Sequence, residues 1–170
     1  MKKRQAIWGG LISLALIAVF IAVWFQPQKL LIEKTVDEKV PVGTTEADNN
    51  DADSGSPRET RVVAEGMFQS LEHQTTGSAT IVELPDGRLF LRFEDLETSN
   101  GPDLRVYLSE IPASDDWHAY GERFIDLGAL KGNLGNQNYE IPADTDLSRF
   151  ESAVIWCRRF TVGFGVAGLS

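Results

Sequence analysis

The chain has 170 residues, a formal charge of −9 and 42% hydrophobic residues, which is enough for one ordinary domain core. Residues 1–25 carry +3, residues 26–58 carry −3 and residues 59–170 carry −9. This balance argues against nucleic acid as a partner and against electrostatic adhesion of the outer domain to anionic lipid. The single cysteine, Cys157, rules out an intramolecular disulfide, a CxxC pair, a Cys-rich zinc site and CxxCH haem attachment.

From Ile7 to Phe25 no charged residue occurs. As a helix this run would be about 29 Å long, close to the hydrocarbon thickness of a bilayer. Trp8 and Trp24 suit the two interfaces, and Lys2, Lys3 and Arg4 hold the preceding end in the cytoplasm. Residues 1–25 are therefore read as a basic tip plus an uncleaved single-pass transmembrane helix, with the carboxy-terminal domain outside the cell membrane. A cleaved signal peptide is the rival, but Gln26-Pro27-Gln28-Lys29 offers no small-x-small cleavage site. Residues 26–58 read as a flexible acidic linker. The part from Gly43 to Pro57 lacks any aromatic or large aliphatic side chain, and Leu30 to Val40 could form a short amphipathic helix.

From residue 59 onward short apolar runs alternate with turn clusters. The predicted strands are Val62–Phe68, Gly77–Leu84, Arg88–Leu96, Leu104–Ile111, Arg123–Leu127, Asn138–Ile141, Ala153–Phe160 and Val162–Leu169. Pro85-Asp86-Gly87 predicts a hairpin turn. One helical turn is expected within Asp144 to Phe150, capped by Asp144 or Thr145. Alternation in Arg88–Leu96 and Leu104–Ile111 makes the sheets half-buried, hence antiparallel. The fold class is all-β: an antiparallel sandwich or barrel-like domain over residues 59–170.

Enzyme signatures such as G-x-S-x-G, H-E-x-x-H and the P-loop are absent from the sequence, so a stand-alone enzyme is not expected. Two histidines, His73 and His118, cannot supply a multi-imidazole metal site within one chain. The acidic turn from Glu94 to Asp103 lacks EF-hand spacing and reads as a hydrogen-bonded turn rather than a calcium site. Gly132 to Tyr139 reads as a tight loop fixed by side chains that mimic backbone, with polar-ligand binding as the alternative. Cys157 is the most informative residue. Strand alternation puts it on the face of Ala153 and Ile155, with Arg159 next along and Trp156 and Arg158 opposite. It can be a small core residue, a redox thiol whose thiolate Arg159 favours, or an axial ligand to a non-covalent haem. His73 or Met67 could be a second haem ligand, and Trp156 and Phe160 could wall an apolar cofactor pocket.

Five segments together carry a family resemblance: Gly66-Met67-Phe68 with His73 and Gly77; Ser99 to Leu104 leading into Val106-Tyr107-Leu108; Leu127 to Asn133; Gly135 to Pro142; and Val154 to Phe160 with Phe164 to Ala167. Over about residues 62–169 the chain resembles the DM-thirteen, or electron-transfer DM, domain found in Skeletor-type proteins. The resemblance implies an extracytoplasmic β-rich module with a redox role attached to its cysteine, as a bare thiol or as a ligand to a group such as haem. The matching residue is Cys157. The longer architectures carry a DOMON or oxidoreductase domain that this sequence lacks, so the expected redox partner is another protein or a small molecule. The other expectation is a non-catalytic adhesion or ligand-binding sandwich displayed at the cell surface, with Cys157 in its core.

Overall fold

The computed structural model describes residues 13–20, 33–42 and 59–170. Residues 13–20 are helical, and among the described residues no helix is long and apolar enough to cross a membrane. The remainder of the Ile7–Phe25 run and residues 26–32 and 43–58 of the linker lie outside the described residues.

Among the described residues nine strands form one mostly antiparallel sheet: β1 Thr35–Asp37, β2 Arg61–Ser70, β3 Thr75–Glu83, β4 Leu89–Thr98, β5 Leu104–Ser109, β6 Phe124–Ala129, β7 Leu134–Ile141, β8 Ser152–Cys157 and β9 Val162–Gly168. Their order across the sheet is β1-β7-β4-β3-β2-β9-β8-β5-β6. Strand β2 turns the corner, pairing with β3 along Arg61–Met67 and with β9 along Phe68–Ser70. The sheet curls into a half-barrel. Side chains from β6 (Ile125, Leu127) and from β7 (Tyr139, Ile141) meet in one interior cluster with Phe93, Val106, Ile155 and Phe164. Phe68 meets Phe93 edge-on at 5.0 Å between ring centroids, a favoured aromatic geometry. On the outer face, residues 110–123 fold over a smaller cluster of Tyr107, Tyr120, Val154, Trp156 and Val166.

All eight strands expected beyond residue 59 are present, and the Pro85-Asp86-Gly87 turn joins β3 to β4 with Gly87 at φ 84° and Asp86 accepting from Arg88 N. Other details differ from expectation. The helical turn after Asp144 is a 3₁₀ turn at Leu147–Arg149 capped by Asp146, whose side chain accepts from Ser148 N. Strand β8 stops at Cys157 and residues 158–161 form the turn into β9, so Ala153–Phe160 is not one strand. Of Leu30 to Val40, which could have formed a short helix, the described part contains β1 instead, laid parallel on β7 with Thr35 opposite Leu134 and Asp37 opposite Asn136. Polar contacts, not apolar burial, hold it there. Glu38 N donates to Asn136 O, Lys34 N donates to Asn133 Oδ1, and Arg92 donates to Glu38 O.

Candidate functional site: the mouth of the half-barrel

The ends of β2, β4, β6 and β8 and the starts of β3, β5, β7 and β9 lie at one end of the sheet. The register shows this directly: Thr75 faces Thr98, Glu97 faces Leu134, Leu104 faces Cys157, and Cys157 faces Val162. The loops after β4 (99–103), after β6 (130–133) and after β2 (71–74) therefore share this end, which we call the mouth. Segments Ser99 to Leu104, Leu127 to Asn133 and the end of Val154 to Phe160, singled out in the sequence, all converge here.

Buried side chains rather than glycine turns shape the mouth. The fully buried Gln137 Oε1 accepts from Lys131 N (3.1 Å), Gly132 N (3.1 Å) and Tyr139 Oη (2.7 Å), while its Nε2 donates to Gly132 O (2.8 Å). One amide thus satisfies a loop whose backbone groups would otherwise be orphaned. Asn133 acts similarly, donating to Thr98 O and accepting from Lys34 N. Burial pushes the Tyr139 phenol far above its ordinary pKa, so it stays protonated as a donor to Gln137. Lys131 Nζ donates to both oxygens of Glu38, at 2.8 and 2.9 Å. Partial desolvation pushes the Glu38 carboxyl up, but the hydrogen bonds from Lys131 and Asn138 N together outweigh it and hold its pKa below the ordinary value.

Two clefts open at the mouth. One of about 370 Å³ lies between loops 99–103 and 130–133 and is lined by Lys34, Pro102, Leu104 and Leu130. The other, of about 600 Å³, is lined by Glu33, Gln74, Thr76, Glu97 and Ser99. Asn100 and Asn133 line both.

Cys157 occupies the last position of β8 at this end and is fully buried among the interior side chains. Its strand neighbours are Leu104 and Val162. Leu104 lines the smaller cleft, and a side chain at Gly101 would strike both Leu104 and Phe164. The 99–103 loop thus packs against Phe164 and against Leu104, the residue paired with Cys157 across β5 and β8. It is latched by Arg158, whose N donates to Asp103 O (3.0 Å) and whose Nε donates to Asp103 Oδ2 (2.9 Å). His73 lies tilted against Phe164, with ring centroids 3.8 Å apart and 41° between the ring planes, and its Nε2 sits beside the Glu72 carboxylate. His73 is thereby one aromatic ring removed from the interior that holds Cys157.

The remaining expected site residues do not join this group. Trp156 points to the outer face, where it and Tyr107 line a separate cleft of about 640 Å³ with His118, Arg123 and Thr161. Arg159 is an exposed turn residue, because β8 has already ended and strand alternation no longer applies to it. Met67 and Phe160 are exposed, at 70% and 51%. An axial haem thiolate must line a cavity roomy enough for a porphyrin, whereas Cys157 lies in close-packed side chains and lines none of these clefts. Cys157, His73 and Trp156 therefore do not fit a haem in this arrangement. Leu104 and Phe164, against which the 99–103 loop packs, and the latch Asp103–Arg158 were not singled out from the sequence as site residues. Their only signal was membership of the segments carrying the family resemblance.

A curled β-sheet with loops 71–74, 99–103 and 130–133 at one end and a buried thiol at the last position of β8 defines a small all-β module. Residues 67–169 match the family described as Electron transfer DM13, which is well over half of the chain. The chain belongs to that family, and the description ties it to electron transfer. No curated protein and no solved structure matches the chain.

Proposed function

We propose that the chain is a redox module tethered to the outer face of a membrane by Ile7–Phe25, with the mouth as its working end and the Cys157 sulfur as its reacting atom. The observation that carries this reading is the placement of Cys157: it ends β8 next to Arg158, which latches the 99–103 loop through a backbone hydrogen bond and an exposed ion pair to Asp103. The chemistry within reach of one thiol is exchange with a partner disulfide. The Cys157 thiolate attacks one sulfur, a mixed disulfide forms, and the partner's second sulfur leaves as a thiolate that takes up the proton. Because the sulfur is buried in the closed state, exchange waits on local opening of the 99–103 loop.

Alkylation of the full chain by iodoacetamide tests this. Opening of the mouth alone predicts a slow modification rate that barely changes with low denaturant. A rate that follows global unfolding at every denaturant concentration would leave the sulfur as core filling.

A second reading is favoured by the complete burial of Cys157 among hydrocarbon side chains: a display module that binds ligand through the two mouth clefts, with the cysteine as packing. Under this reading a folded Cys157→Ala variant keeps full function.

A further inference from the structure

We infer that the docked segment 33–42 fixes the orientation of the domain, turning the mouth toward the lipid headgroups; this rests on the anchor proposed above. Strand β1 runs parallel to β7, and β7 starts at the mouth with Leu134 and ends at the far end with Ile141. The chain therefore enters the domain at the mouth, where Glu33 and Lys34 line the two clefts. The apolar run ends at Phe25, eight residue steps before Glu33. Fully extended, eight steps reach no more than about 29 Å. With β1 seated, the mouth cannot lie farther than that from the outer end of the run. With β1 released, the tether would extend to residue 59, and a coil of residues 26–58 would let the domain tumble at about 30 Å root-mean-square separation.

The seat is specific. A side chain on Gly132 would come within 2.3 Å of Lys34 O, and one on Gly135 within 2.1 Å of Val36 O. Beyond the strand, the Glu38 carboxylate accepts from both Lys131 Nζ and Asn138 N, and Asn138 Nδ2 donates to Lys39 O. Strand β7 rises about 25 Å along its eight residues, so the two ends of the domain stand at clearly different heights above the lipid.

The test uses the full chain in phosphatidylcholine vesicles that carry an acceptor dye on their headgroups. Donor dyes are placed by brief labelling on Gln74→Cys at the mouth or Ala143→Cys at the far end, both exposed positions that react far faster than the buried Cys157. Energy transfer should be several-fold stronger from position 74 than from position 143. Adding Gly132→Val, which blocks the seat of β1, should bring the two signals together. Equal transfer from both positions in the otherwise native chain, or stronger transfer from 143, overturns the inference while leaving the anchor standing. Failure of the chain to float with the vesicles overturns the anchor itself and the inference with it.

Discussion

Replacing Cys157 by alanine and by serine separates a sulfur that fills hydrocarbon from one that sits in a polar site. Alanine removes one heavy atom from a fully buried position. The lost burial and the small cavity together cost about 1–1.5 kcal/mol. Serine keeps the volume but puts a hydroxyl into the apolar interior cluster that includes Leu104, Val162 and Phe164. An unpaired hydroxyl there costs about 1–3 kcal/mol, and the change from sulfur to oxygen adds to it, giving about 2–4 kcal/mol in all. The serine variant should therefore be the less stable by about 1–2 kcal/mol, or roughly 4–8 °C in Tm for a domain of this size. Thermal melting followed by circular dichroism reads the difference. A serine variant as stable as the alanine variant, or more so, would refute the apolar setting. It would show water or a hydrogen-bond partner at the sulfur.

Four further outcomes follow from the same contacts. Gln137→Leu orphans Gly132 N, Gly132 O and the Tyr139 hydroxyl proton, and should cost about 3–5 kcal/mol in chemical denaturation; a loss under 1 kcal/mol would mean the loop holds itself. Gly66→Ala places a side chain 1.9 Å from Gly168 O, so β2 and β9 must part, at about 3 kcal/mol or more by the same measurement. Asp103→Asn weakens an exposed latch worth about 0.2–1 kcal/mol, and should speed iodoacetamide modification of Cys157 by up to about fivefold with little change in Tm. For Glu38 the folded pKa is depressed, so its contribution to holding β1 is complete above the ordinary carboxylate value of about 4.3 and is lost as pH falls through the lower folded value. Amide exchange at Asn138 should accelerate only below about pH 4, and no change belongs to this group between pH 5 and 8.

Strands with apolar alternation and glycine- or proline-bearing turns were legible in the sequence, as Leu89, Leu91 and Phe93 with the Pro85-Asp86-Gly87 hairpin show. Strand β1 was not. It is three residues long and pairs in parallel. Its seat depends on Gly132, Gly135, Lys131 and Asn138, about a hundred positions away, so no local period marks it. The end of β8 was hidden for another reason. Its turn, Arg158-Arg159-Phe160-Thr161, contains neither glycine nor proline, and Thr161, a β-branched residue, takes φ 55°. Alternation placed Cys157 beside Ala153 and Ile155 and Trp156 on the opposite face. The packing of the 99–103 loop against Leu104 and Phe164 arises from strands distant in sequence and could be read only from the folded sheet.

The pairing of β1 with Leu134–Asn136 also has a consequence for solubility. Strand β7 would otherwise present bare amide and carbonyl groups along the rim of the sheet, a ready template for a neighbouring molecule's backbone. A chain shortened to begin at residue 59 would lose that guard and should self-associate as its concentration rises, even though every interior side chain remains in place.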